Sequence, residues 1–452
     1  MKAIILAGGR GSKFFPYDEK WQKACIPIGN KPNLLRIIDQ LKKIDINDIT
    51  VVTDYKSKQV EFCLRNESKI KTVKTTSETL NQTLFEMSNN NDTIIYYGDV
   101  YASDSDVKQL INSFKDKGSV MLLEKNETNS FNFGDYICAQ ADDKVNRFYG
   151  HPRDHYVNAR ACGIYALEAK LLPYIKTCPE TFFDVPVGGM PPEGFFLEQC
   201  LNVAIKDGHN INAHYVEETF VDMDLPWDIM FANEKYCIDV VGNLKNSDIH
   251  KSVTISDNAR INGHLVIGEN SVIGDNVIFE GNCIVGKNTV IDNGAIIGVN
   301  SVIGDDSVIN NYCKISNNTV IGHNNKIGFT AEFSGVTFDG VAMVHHSQLY
   351  GVIGKSTDIA AGCQAGIVRF DDLQNPNKVN GRYYTNRFSN GVFIGDFTRT
   401  GIGNIFLPGV KIGSNCAIGP GIIVQKDINK DQLVTIKQNL TFKDWGFNKY
   451  GW

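Results

Sequence analysis

No stretch of the chain approaches the roughly 18–20 consecutive apolar residues that cross a bilayer, so no membrane partner is expected. Positive charge is not in excess either. The 45 lysines and arginines stand against 51 aspartates and glutamates, for a net charge of −6. No basic stripe is interleaved with aromatics, which excludes a nucleic-acid binder held by a general field. Phosphorylated ligands must then be met by a few placed cations. Cysteine pairing signals are also missing. The 11 cysteines are odd in number and scattered, and none forms a C-x-x-C pair. That argues against a secreted disulfide framework and against a zinc site. Reduced, mostly buried thiols in a cytoplasmic protein are expected. The start, MKAIILAGG, does not read as a signal peptide, because its short apolar run passes straight into a glycine loop.

A chain of 452 residues exceeds what one hydrophobic core serves. Residues 1–230 alternate short apolar runs with helical patterns. Lys2–Leu6, Ile49–Thr53 and Thr93–Tyr97 read as strands, and PNLLRIIDQLKKI, Asp106–Lys115 and Phe195–Lys206 as helices. Such alternation predicts a Rossmann-like α/β domain with a mostly parallel sheet, whose ligands sit beyond the carboxyl ends of the strands. Residues 231–247 read as a linker. From Ile249 to Ile327 every sixth residue is large and apolar, fourteen in a row and twelve of them isoleucine. The residue two before is small, as at Ser271, Cys283, Thr289, Ser301 and Ser307. A period of six fits neither a helix nor a half-buried strand. It fits a left-handed parallel β-helix whose triangular coils have three six-residue sides. The step returns from Ile394 to Val424, so a β-helix is predicted over 248–430, followed by a tail at 431–452. Residues 329–393 read as a long irregular insertion, of the kind that carries function or packs subunits together.

The chemistry begins at LAGGRGSKFFPYDEKWQKACIPIGNKP. Gly8, Gly9 and Gly11 let backbone amides close on phosphates without a Cβ in the way. Lys13 and Lys23 supply charge. IIYYGDV ends a strand in Gly98-Asp99, and VDMDLPWDIMFANE contributes Asp222. Together these segments resemble the sugar-1-phosphate nucleotidyltransferases, the NDP-sugar pyrophosphorylases. The resemblance implies that Leu6, Ala7, Gly8, Gly9 and Gly11 bind the nucleotide, with Gln82 of SETLNQTLFE reading the base. It places Lys13 at a phosphate-binding arginine and Lys23 at the lysine that orients the sugar phosphate. It makes Asp99 and Asp222 ligands of Mg²⁺, which suits two carboxylates and phosphate oxygens. VDMDLPWD lines up with the family segment D-(I/T)-G-T-P-x-D. The family's Asn-x-Gly-Ile-Tyr reads Ala161-Cys162-Gly163-Ile164-Tyr165, which leaves Gly163 as the sugar contact. Glu198 reads either as a sugar-hydroxyl acceptor or as a solvated helix residue. The implied reaction joins an NTP and a sugar 1-phosphate to give an NDP-sugar and pyrophosphate.

VHHSQLYGVIGKSTDIAAGCQAGIVRFDD resembles the acetyltransferase half of bifunctional N-acetylglucosamine-1-phosphate uridyltransferases, and more closely that of their archaeal-type relatives. His346 would be the general base for an amino-sugar attacking acetyl-CoA, with His345 as its rival. Arg399 and Lys411 would meet CoA phosphates. Leu349, Asp358, Arg369 and Phe370 stand where that family has its amino-sugar contacts, so a β-helix that only trimerises or regulates is the competing reading. A third reading is a scaffold subunit whose N-terminal domain binds nucleotide without turnover. A homotrimer is expected from the packing habit of such prisms and the prevalence of cyclic homo-oligomers.

Overall fold

In the computed structural model the residues described are 1–446, apart from 128–130, 151, 178–181, 183–184 and 186–195. Lys2–Ala7 is the centre of a nine-stranded sheet, flanked in parallel by Ile49–Thr53 and Thr93–Tyr97. Lys71–Lys74 extends the parallel half, and Ala159–Leu167 runs antiparallel to Thr93–Tyr97. The three central strands are almost wholly buried, as expected of a sheet covered on both faces. Helix Asn33–Lys43 forms because Leu34, Ile37, Ile38 and Leu41 repeat at helical spacing and bury one stripe. The second predicted helix spans Asp104–Lys117. The third spans Leu197–Lys206, its expected first residue, Phe195, lying outside the described residues.

The six-residue step folds as a left-handed parallel β-helix. Each coil pairs in parallel with the residue 18 positions on, as in Val272↔Val290 and Val290↔Val308. The repeated aliphatics, among them Ile267, Ile273, Phe279, Val285 and Ile291, fill one continuous core. Ile249 and Ile261 are each 40% exposed because no coil stands before them. The small residues do more than fit. Ser271, Thr289 and Ser307 donate their hydroxyls to the carbonyls of Gly286, Gly304 and Gly322 at 2.7, 2.7 and 2.9 Å. Parallel pairing runs on past residue 430, to Leu433–Val434 against Ala417–Ile418.

The expected irregular stretch at 329–393 is mostly regular. Coils continue with a step of 16: Val320↔Val336, Lys326↔Ala342, Glu332↔Gln348 and Ala342↔Asp358. The two missing residues come from one corner, which is turned inside the continuous strands Glu332–Thr337 and Gln348–Ile353. Gly351 sits there at φ +146, and a Cβ on it would lie 1.9 Å from the Val392 carbonyl oxygen. The true excursion runs from about residue 366 to 391 and holds the hairpin Asn377–Val379/Arg382–Tyr384. It packs on its own chain's N-terminal half. Asn380 bonds the Ser12 carbonyl at 3.2 Å, Arg382 pairs with Asp135 at 2.7 Å, and Arg387 pairs with Glu234.

One face of the prism is therefore not free. Val302, Val320, Val336 and Val352 point outward from their coils into a shared core with Phe14, Tyr17 and Trp227. Polar contacts rim this seam. The Tyr17 hydroxyl donates to the Val352 carbonyl at 2.7 Å, the Trp21 indole to Asp396 at 2.9 Å, and the Ser414 amide to Glu19 at 2.6 Å.

Candidate functional site

The carboxyl ends of the three central strands open into a cleft of about 470 Å³. Leu6, Gly8 and Gly9 line it from the first strand, Val52 and Asp54 from the second, and Tyr97 and Asp99 from the third. Ala7 is buried at the strand end. Gly11 does not line the cleft but seats Lys23: a Cβ at Gly11 would stand 3.1 Å from the Lys23 side chain. Arg10 also lines the cleft, a cation inside the glycine loop that the motif reading passed over.

Beside the glycine loop the carboxylates converge. Phe220–Asp222 pairs antiparallel with Val100–Ala102, setting Asp222 opposite Val100, and the Met223 amide donates to the Asp99 carbonyl at 3.1 Å. Asp99 and Asp222 thus become neighbours, and Asp224 joins them. One oxygen from each of the three lies within 4.8 Å of the others. Asp224 is the member that sequence reasoning missed, since its motif position is a glycine in the family and so carried no signal. The Lys23 ammonium sits among them, 2.6 Å from Asp99 and 2.8 Å from Asp224, while Lys13 lies 3.6 Å from the other oxygen of Asp224. Burial opposes the Lys23 charge, but Asp224, Asp99 and Asp222 outweigh it and push its pKa up. Lys23 in turn holds the Asp224 carboxyl down at about 2, against its burial and with help from Lys13. The Asp222 carboxyl is pushed up, first by burial and then by Asp224 and Asp99. Asp228 begins helix Asp228–Tyr236, and its carboxylate accepts from the amides of Asp224 and Leu225 at 3.0 and 2.7 Å. It fixes the loop that carries Asp224.

The other predicted contacts divide. Gly163 has φ +71, and a Cβ there would meet the Tyr97 ring at 2.9 Å, so it lets Tyr97 stand beside the cleft. Glu198 is buried and is no solvated helix residue. It accepts a bond from the Tyr165 hydroxyl, its second oxygen is buried without a partner among the described residues, and burial raises its pKa. Tyr165 packs on Tyr97 at 5.9 Å between ring centroids, which links Glu198 to the cleft. Gln82 is outside the lining. Its amide donates to Glu86 along helix Leu80–Ser88, and Thr75, Thr76 and Leu80 line that end of the cleft instead. The helical i, i+4 spacing of Gln82 and Glu86 decides this.

On the β-helix, His346 occupies a left-handed corner at φ 56 with its imidazole exposed, Nδ1 lying 2.5 Å from the Thr330 hydroxyl. Its ring stands edge-on to Phe329, which meets Tyr312 the same way. His345 is exposed beside it. Lys411 is not free to meet a CoA phosphate: it is buried, bonded to Asn377 and paired with Asp427. Arg399 is exposed and pairs with Asp358 at 3.1 Å.

Residues 2–181 match the Nucleotidyl transferase family and residues 243–349 the GMPPB C-terminal domain family. A Bifunctional protein GlmU of Methanococcus maripaludis strain C7 is 30% identical over 448 residues, covering 97% of this chain and 98% of that protein. The chain belongs to the sugar-1-phosphate nucleotidyltransferase family. A Bifunctional sugar-1-phosphate nucleotidylyltransferase/acetyltransferase of Sulfurisphaera tokodaii is 28% identical over 440 residues, 96% of this nucleotidyltransferase and 100% of the relative. A Bifunctional protein GlmU of Methanococcus aeolicus is 27% identical over 449 residues, 98% and 99% of the two chains. The first matched segment of the nucleotidyltransferase carries the glycine loop, both lysines, Asp99 and Gly163, and the second carries His346. Among the described residues no helix is long and apolar enough to cross a membrane.

Proposed function

We propose that the cleft transfers a nucleotidyl group from an NTP to a sugar 1-phosphate. The observation that carries this is the meeting of the glycine loop with two lysines and three carboxylates at the carboxyl ends of parallel strands. A phosphate oxygen of the sugar attacks the α-phosphorus, the bond to the α–β bridging oxygen breaks, and pyrophosphate leaves. No protein nucleophile is needed. Gly8 and Gly9 admit the triphosphate, Lys13 meets its charge, and Lys23 orients the sugar phosphate. Within the cluster of three carboxylates, two give the hard oxygen ligands that suit Mg²⁺. Asp99 and Asp222 would hold the ion, which neutralises charge building on the transferred and leaving phosphates. Residues 1–230 are assigned to this unit, 231–247 to the link and 248–430 to the β-helix, with the start of the 431–452 tail still pairing on the last coil at Leu433–Val434.

The test is a matrix of NTPs against sugar 1-phosphates read by pyrophosphate release. Turnover by any pair rejects the scaffold alternative. Asp99→Ala should leave a folded chain that releases none, and release at the wild-type rate would sink the assignment of Asp99.

A second activity rests on His346. Its imidazole is exposed and hydrogen-bonded at one nitrogen, which leaves the other nitrogen to take a proton from an amino-sugar as it attacks acetyl-CoA. Thiol release from acetyl-CoA that persists in His346→Ala would exclude that base. A homotrimer is proposed from the apolar side chains exposed on later coils, such as Ile402, Ile405 and Ile423, and sedimentation as a monomer would exclude it. Among the described residues no two cysteines are joined in a disulfide, which supports a cytoplasmic setting.

A further inference from the structure

Lys13 and Lys23 lie at the two ends of one loop, and a single carboxylate joins them. Asp224 offers one oxygen to Lys23 at 2.8 Å and the other to Lys13 at 3.6 Å. Two oxygens of one anion, each on its own ammonium, is the arrangement a phosphate group would make with the same pair. Asp224 stands at the position that is glycine in the family segment VDMDLPWD resembles.

We propose that Asp224 is an internal stand-in for a substrate phosphate, holding both lysines until a phosphate ligand takes them over. The Lys23 side chain is only 8% exposed, so water does not satisfy its charge and a counter-ion must. Asp99 provides one, at 2.6 Å, and Asp224 the other. The Asp224 and Lys13 side chains are 31% and 34% exposed, so an incoming anion can reach this pair. The Asp228 carboxylate pins the backbone at Asp224 and Leu225, which leaves the Asp224 side chain as the part that yields. Phosphate binding is then an exchange of one anion for another. Its affinity is lowered by what the internal pair is worth, and product phosphates are released more readily for the same reason.

This inference rests on reading the cleft as a phosphate site. Its test is calorimetric titration of the full chain with inorganic pyrophosphate in EDTA, comparing wild type with Asp224→Asn and Asp224→Gly. Circular dichroism establishes that the variants fold, and the near-isosteric Asn guards against collapse of the Gly variant. Both variants should bind pyrophosphate about tenfold more tightly than wild type. If wild type binds pyrophosphate and both variants bind it equally or more weakly, the inference is overturned while the nucleotidyl-transfer reading stands. If none of the three binds it, the inference is overturned, and the transfer reading is decided separately by pyrophosphate release in the matrix of NTPs and sugar 1-phosphates. Mn²⁺ titration followed by electron paramagnetic resonance adds a separate arm. Weaker Mn²⁺ binding in Asp224→Asn without stronger pyrophosphate binding would make Asp224 a metal ligand and not a phosphate mimic.

Discussion

Lys23 is buried because the loop that carries it folds under Gly11, and it stays charged because Asp99 and Asp224 reach it there. Taking the ammonium away leaves three carboxylates facing one another in a poorly solvated place. Removing one partner of a buried ionic group costs about 3–5 kcal/mol. Lys23→Met should therefore lower the melting temperature in EDTA, and millimolar Mg²⁺ should recover much of the loss by replacing the missing charge. Differential scanning fluorimetry with and without Mg²⁺ reads this directly. A variant as stable as wild type in EDTA would mean the cluster does not depend on its internal cation.

At the scale of elements, the β-helix shows how a short repeat tolerates interruption. Its strands are two or three residues long over most of the prism, so each coil can change length as long as its aliphatics still face inward. The 16-residue coils exploit this by turning one corner at glycine inside a strand. Gly351 meets both conditions that exclude a side chain, a left-handed φ and a carbonyl in the way. Gly351→Ala should cost more than about 4 kcal/mol. Gly366→Ala, whose nearest neighbour would be 3.7 Å away, should change stability by less than about 0.5 kcal/mol. Urea unfolding of the two variants separates them, and equal midpoints would refute the corner argument.

For the whole molecule, the seam between the halves couples the loop of Lys23 to the prism. Tyr17, Glu19 and Trp21 all bond to the β-helix within six residues of Lys23. Asp396 in this seam takes bonds from the Lys355 amide and the Trp21 indole, yet burial pushes its carboxyl up to about 6. The folded chain then holds that proton more tightly than the unfolded chain, whose carboxyl titrates near 4. The stability this group contributes is fully present below about pH 4 and is lost as pH rises through 6. Asp396→Asn removes the titration, so its stability relative to wild type should rise by about 1–3 kcal/mol between pH 4 and 7. Parallel stability profiles, measured by urea unfolding across that range, would contradict this.

What could be read before folding was local and periodic. The six-residue step, the glycine loop and the two aspartate segments each act over a few residues, and steric and solvation rules bind so strongly at that range that the pattern declares itself. Asp99 and Asp222 were legible because each sits in its own short motif. Asp224 was not, since its meaning depends on two lysines some 200 residues away in the chain. The surroundings of Gln82 and Glu198 were not legible, because burial and side-chain direction depend on which elements pack together. The insertion reads in sequence as a segment that carries function or packs subunits together; its packing on its own N-terminal half was not legible, because only the closed fold brings Asn380, Arg382 and Arg387 to Ser12, Asp135 and Glu234. The sequence by itself determined the two architectures and the kind of chemistry in the cleft. Which charges meet in that cleft, and which face of the prism is covered, was decided by tertiary contacts, because ion pairing and burial are properties of distance in space and not of spacing along the chain.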